Sequence, residues 1–175
     1  SYPTTGSTGD GYKFAKALGH TIVEPQGSLV PLETAGPDAP EMQGLALKNT
    51  ALKLLNPKGK AVYKDFGEML FCHFGVSGPV ILSASAHLQS SYPCTLYIDM
   101  KPALDEATLD KRLLRDFAEI PNKALKNAFG ALLPAKLIDP FIALCGISPE
   151  TKLNSLTKEE RKRIVALMKA IPIRI

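Results

Sequence analysis

The chain has 175 residues, 45% apolar and 22% charged, which suits one soluble globular domain or two small ones and excludes a disordered or fibrous chain. Lys plus Arg number 21 against 17 for Asp plus Glu, a surplus too small to demand a nucleic-acid partner. No apolar run reaches the ~18 residues of a membrane span, and three cysteines without a CxxC spacing (Cys72, Cys94, Cys145) argue against a zinc site or disulfide scaffold and fit a reducing cytoplasm.

In chain order, the first expected element is a helix over Tyr12 to Leu18, capped by Ser7 or Thr8, favoured by Asp10 at its positive end and stopped by Gly19. His20 to Val23 and Gly27 to Glu33 read as short strands, the second crossed by Pro31 and so placed at an edge or bulge. Leu45 to Leu55 alternates apolar and polar residues and predicts a strand, with Asn56-Pro57-Lys58-Gly59 as the hairpin turn. Lys60 to Tyr63 and Glu68 to Phe74 predict returning strands broken at Asp65-Phe66-Gly67. Ser77 fits the N-cap of a helix from Val80 to about Leu88, with Pro79 in its first turn, and Thr95 to Met100 is a further strand.

Beyond Lys101 the pattern turns helical. Asp105 or Thr108 opens a helix with an apolar stripe of Leu109, Leu113, Leu114 and Phe117, ended by Pro121. Lys123 to Leu133, Ala135 to Leu144 and Thr157 to Ala170 predict three more, the last with a capping box at Thr157 and Glu160 and Ser155 as a competing cap. Ile171 to Ile175 looks like the start of a strand, which together with the Ser1-Tyr2-Pro3 start suggests a piece of a longer protein. Residues 1–100 carry seven Lys, no Arg and eight acids, whereas residues 101–175 carry 14 bases and nine acids. The expected class is α+β: a β-barrel-like antiparallel subdomain followed by a basic, all-helical one.

Gly9-Asp10-Gly11-Tyr12-Lys13-Phe14 stops one residue short of GxGxxG and follows no strand, so the dinucleotide fingerprint fails in context. Its N–H groups at a helix start suit an anion; the plainer reading is a glycine-rich cap. Gly75-Val76-Ser77-Gly78-Pro79 resembles a nucleophile elbow, but the next histidine, His87, lies ~15 Å along the same predicted helix. The hydrolase reading falls, and Ser77 is read as a cap. His73, with the N–H groups near Gly78, can face a carboxylate, carbonyl or phosphate, or can simply be a strand histidine bonded to a carbonyl. His20 and His87 read as structural, and no histidine has metal-ligand spacing. The run Lys158 to Arg163 reads as a solvated helix face; an RNA- or protein-binding helical module is the alternative function, with no aromatic platform beside the run to support it.

Three stretches, SYPTTGSTGDGY with Leu18-Gly19-His20, PQGSLVPL from Pro25 to Leu32, and GEMLFCHFGVSGP from Gly67 to Pro79, resemble in order and spacing the aminoacetone-oxidase-like NAD(P)/FAD-dependent oxidoreductases. The resemblance is strong over residues 1–100 and holds by pattern beyond them; Cys72 stands where that family commonly has Thr. It implies an FAD domain interrupted by an insert, of which this chain is the insert alone. Residues 1–26 would then be a remnant of the FAD-domain helix and crossover, 27–101 the β-rich part, 102–170 the helical part and 171–175 the return strand. On this reading FAD serves the full-length parent, NAD(P) is a further nucleotide the family admits, and the fragment itself holds no cofactor and is inactive alone. The partners implied are the flanking FAD-binding domain and a small-molecule substrate, with neither membrane nor nucleic acid expected. Thr8, Gly9, Asp10 and Gly11 would lie near the cofactor, while His73, Ser77 and Gly78 would face substrate, His73 as hydrogen-bond donor or proton carrier.

Overall fold

A computed structural model describes residues 3–88 and 92–175; Ser1 and Tyr2, which begin the first resembling stretch, lie outside the described residues. Six strands form one antiparallel sheet: β1 (Leu32–Glu33), β2 (Ala46–Leu55), β3 (Ala61–Cys72), β4 (Gly75–Ser77), β5 (Thr95–Asp99) and β6 (Ile171–Arg174), in the order β1-β4-β3-β2-β5-β6. The sheet curls until its edges meet, where the Ala35 N–H just past β1 donates to the Arg174 carbonyl of β6 at 2.9 Å. Together with the helices this is the α+β class that the alternation and stripes predict.

The curl follows from which face is apolar. Leu47, Leu52, Leu54, Met69, Phe71, Val76, Leu96 and Ile98 are buried on the concave side; of the helices that interrupt this half, α1 (Asp10–Ala17), α2 (Asp38–Glu41) and α3 (Pro79–Ser85), the last sets Val80, Ile81 and Ala84 among them. Asn56 secures the β2–β3 turn by accepting from the Lys58 and Lys60 N–H groups at 3.0 Å. The expected break at Asp65-Phe66-Gly67 does not occur, and β3 runs through it. Gly67 marks a close approach instead of a turn: a Cβ there would stand 2.6 Å from Val80 Cγ2. The irregularity falls on the partner strand, where Lys48 and Asn49 oppose the single residue Glu68 and Asn49 adopts a left-handed φ of 57°.

The helical part holds α4 (Glu106–Ala118), α5 (Ala135–Cys145) and α6 (Lys158–Lys169). Asp105 caps α4 through the Thr108 N–H, and the Thr157–Glu160 capping box opens α6 as expected; Ser155 ends a 3-10 turn rather than competing for that cap. The helix expected over Lys123 to Leu133 is absent apart from one 3-10 turn at Leu125–Asn127. Two of its N–H groups reach across to a neighbouring loop, Leu125 to Thr151 O at 2.8 Å and Lys126 to Pro149 O at 3.1 Å, and the Leu153 N–H returns to Lys123 O at 3.0 Å; the bonds within the segment close only isolated turns, such as Ala128 to Leu125 and Leu133 to Phe129. Phe117, Phe129 and Phe141 meet edge-on at the centre of these helices, and the buried cluster continues from them into the sheet.

Sheet and helices are clamped by one ammonium. Lys169, at the end of α6, directs Nζ to Asp99 Oδ2 of β5 at 2.6 Å and to the carbonyls of Lys101 and Leu104 at 2.9 and 2.6 Å. Asp99 Oδ1 meanwhile accepts from the Lys101 N–H at 2.9 Å. The two side chains are only 16% and 20% exposed, so losing one leaves the other unsatisfied in a poorly hydrated place. Lys169→Met is expected to lower stability by about 2–3 kcal/mol in urea unfolding, whereas the exposed Lys58→Met should leave it unchanged.

The candidate site and two outer grooves

The first candidate cluster lies on an element without a core of its own. Helix α1 (Asp10–Ala17) has no buried residue; Tyr12 is 49% exposed, and Phe14, Leu18 and Val23 expose two thirds or more of their surface. Its N-cap is Gly9, at φ 75°, and neither Ser7 nor Thr8 caps it. Thr8 donates to the Asp10 carboxylate, which also pairs with Lys13 at 2.8 Å, and both bonds hold Asp10 below the usual carboxylate range. Gly6 to Tyr12 line a shallow depression, but the ionised Asp10 occupies the helix start that an anion would need. Thr8, Gly9, Asp10 and Gly11 therefore do not by themselves form a diphosphate cradle for a dinucleotide. His20 to Val23, expected as a strand, has no strand partner and runs as irregular chain after α1.

The second cluster is spread along the β3–β4 hairpin. His73 and Phe74 form its two-residue tip, where His73 is exposed and its ring sits edge-on to Phe74 at 5.0 Å. Ser77 pairs with Leu70 on the outer face, three residues from His73, or ~10 Å at the strand rise. Ser77 does not cap α3; Gly78 is its N-cap, without a side-chain bond, because the chain turns there at φ 99°. A Cβ on Gly78 would stand 2.8 Å from Met69 Cα, so this glycine is required by packing. The hairpin thus separates His73 from Ser77 and Gly78 instead of joining them on one reacting atom. Of the histidines read as structural, His87 stacks on Tyr63 at 5.0 Å and His20 is exposed.

Two grooves that the sequence pattern does not announce lie on the outer sheet face. One, of about 490 Å³, is lined by Lys53, Lys64, Tyr97, Asp65 and the Asp99–Lys169 pair over a floor of Ala51 and Leu52. The register sets Lys53 directly opposite both Lys64 and Tyr97, and no ion pair among the described residues engages either lysine. The second, of about 590 Å³, is lined by Asn49, Phe66, Met100, Lys101 and Arg112. Arg112 Nε is buried without a hydrogen bond, its acid, Asp116, standing at 3.5 Å. Burial, and then the nearby Arg112 charge, push the Lys101 ammonium below its ordinary value. Phe66 is 56% exposed and lies opposite Ala51, so the grooves adjoin. Alternation alone puts Lys53 outside; the cross-strand register that gathers these residues is not written in local sequence.

Two arginines of α6 are tied into the helical half. Arg161 binds Asp110 at 2.7 Å and Arg163 donates to the Cys145 carbonyl at 3.0 Å, so the run from Lys158 to Arg163 faces solvent through Lys158 and Lys162. Cys72 and Cys145 are free thiols, and burial pushes the Cys145 thiol up to about 12. No metal-holding cluster occurs among the described residues, and none of their helices is long and apolar enough to cross a membrane.

A curled antiparallel barrel sheet with a helical pendant defines the class, and the chain belongs to the HI0933-like protein barrel and H2TH domain family, whose model matches residues 26–175. It is 29% identical to the ribosomal RNA dihydrouridine synthase of Haemophilus influenzae, over 94% of this chain and 39% of that protein. It is 27% identical to the ribosomal RNA dihydrouridine synthase of Escherichia coli, over 96% of this chain and 40% of that protein. A 3-dehydro-bile acid delta(4,6)-reductase of Clostridium scindens is 23% identical over 94% of this chain and 41% of its own length. The chain thus spans about two fifths of the length of these relatives.

The Asp110–Arg161 bond gives a pH signature. Arg161 holds the Asp110 carboxyl below its ordinary 3.8, so the contribution is complete above that pH and is lost as pH falls through the lowered value. Arg161→Ala should cost about 1.5 kcal/mol at pH 7, and the gap in Tm between variant and parent should close as melts are taken below about pH 3.

Proposed function

We propose that the chain is the substrate-side insert of a flavin-dependent oxidoreductase. The observation that carries this reading is α1: an amphipathic helix whose Tyr12 and Phe14 find no cover within the chain fits an element that packs against a neighbouring domain. The coverage of two fifths of each relative agrees with a further domain elsewhere in the protein. The relatives' names share a reduction of a carbon–carbon double bond, a hydride chemistry suited to the flavin cofactor that the three resembling stretches imply.

When bound by the complete protein, FAD would supply hydride transfer. The residues of this chain would shape the pocket and exclude water, with His73 at its exposed hairpin tip offering a hydrogen bond or a proton to the substrate. Ser77, ~10 Å away, would contact a different part of a substrate if it contacts one, and Gly78 holds the turn behind it.

A second reading concerns the substrate. Two of the relatives are named for ribosomal RNA, which favours RNA over a small molecule. The small overall charge surplus weighs against RNA, but the cations of the outer grooves are gathered rather than dispersed.

The protein extended to the length of its relatives is expected to purify with flavin absorbance, while FAD titrated into the 175-residue chain keeps the fluorescence of free flavin. Saturable quenching by the chain alone, or a flavin-free extended protein, would refute the insert reading. In the extended enzyme His73→Gln should lower kcat by about 10² at unchanged Tm. An unaltered kcat would remove His73 from the reaction.

A further inference from the structure

We infer that the outer face of strands β2, β3 and β5 is a docking groove for single-stranded RNA, in which Phe66 and Tyr97 stack bases while Lys53, Lys64, Lys101 and Arg112 take the phosphates. The inference rests on the RNA reading above and assigns it a surface on this chain. Four observations carry it.

The first is like charge held together: Lys53 and Lys64 enter no ion pair among the described residues, and Arg112 has only Asp116, at 3.5 Å. Lys53 and Lys64 face each other across β2 and β3, an arrangement that weakens a sheet unless an anion lies between them. At the far end of the strip, Lys101 and Arg112 form a second like-charged pair, and Arg112 keeps a buried Nε without a hydrogen bond.

The second is aromatic interleaving. Phe66 sits one outward step from Lys64 on β3, and Tyr97 is the cross-strand neighbour of Lys53 on β5. The two rings are two strands and one pleat apart, ~12 Å, with only the small Ala51 and the flexible Lys53 in the rows between them. A positive groove tracked by aromatic faces is the physical signature of single-strand binding, because every base can stack and every linkage carries a charge. A double helix presents no free base faces and would leave Phe66 and Tyr97 unused.

The third is the bulge. Placing Asn49 in the left-handed region turns it out of the ladder and onto the groove beside Phe66, where its amide can donate to and accept from a base edge.

The fourth is rigidity. The loop carrying Lys101 is held by Lys169 through the carbonyls of Lys101 and Leu104, so the wall is formed before a ligand arrives. Acids limit the strip without filling it: Asp99 is occupied by Lys169, Asp65 by Tyr63 and the Phe66 N–H, and Glu68 closes the end beyond Phe66.

The test is fluorescence anisotropy of the 175-residue chain with a labelled, unstructured single-stranded RNA of about 12 nucleotides. Binding should weaken with salt, and the double variant Lys53→Gln/Lys64→Gln should lower the slope of log affinity against log salt by about 1.4. Phe66→Ala should weaken binding at least about fivefold, and a duplex of the same sequence should bind more weakly than the single strand. The comparison variant Lys158→Gln/Lys162→Gln removes the same charge from the solvent face of α6 and should change the slope by much less. Thermal melts show that each variant is folded, as expected for exposed side chains. No binding, equal loss with the α6 variant, equal binding of the duplex, or an unaffected Phe66→Ala each overturns the groove. The flavin content of the extended protein is read separately, so either proposal can fail while the other stands.

Discussion

The Lys169 ammonium is the contact through which the two halves of the molecule hold their positions. Its three donors are spent on a carboxylate from the sheet and two carbonyls from the loop that leaves it, while the carboxylate's other oxygen accepts from the Lys101 N–H of that loop. Hydrophobic burial is continuous across the same junction but has no direction of its own. The charge-assisted bonds supply the orientation: they fix the angle at which α6 returns to the sheet, and β6 follows α6 after a single residue. The seam of the curled sheet therefore depends on a bond made on its outer side.

This arrangement divides labour between the faces. The concave face is filled by Leu, Ile, Met and Phe side chains and by α3, leaving no room there for a substrate. Both proposals therefore draw on what projects outward: the hairpin tip at His73, the outer grooves, and the exposed helix α1. The family match covers this body as a unit, from residue 26 to residue 175.

Elements governed by their own residues were legible in the sequence. The alternation of Leu45 to Leu55, the Asn56–Gly59 turn and the Thr157–Glu160 capping box depend on near neighbours, and each stands within a residue or two of its expected place. Elements decided by distant partners were not. Gly67 resembles a breaker until Val80 is seen above it, and Lys123 to Leu133 resembles a helix until its N–H groups are found bonded to the loop at Pro149 to Leu153. Ser77 resembles a cap because nothing local reveals that a glycine must follow at φ 99°. Among candidate site residues, His73 was expected inside a strand running to Phe74; the strand ends at Cys72, which leaves His73 at the hairpin tip and apart from Ser77. The outer grooves depend on the pairing register and were out of reach for the same reason.

The hydrogen bond between Ala35 and Arg174 has a consequence for how such a module can be housed. It brings the first strand of the barrel beside the last, so the chain enters and leaves the unit at one corner. A host fold could receive the whole body between two adjacent points on its surface with little displacement of its own backbone.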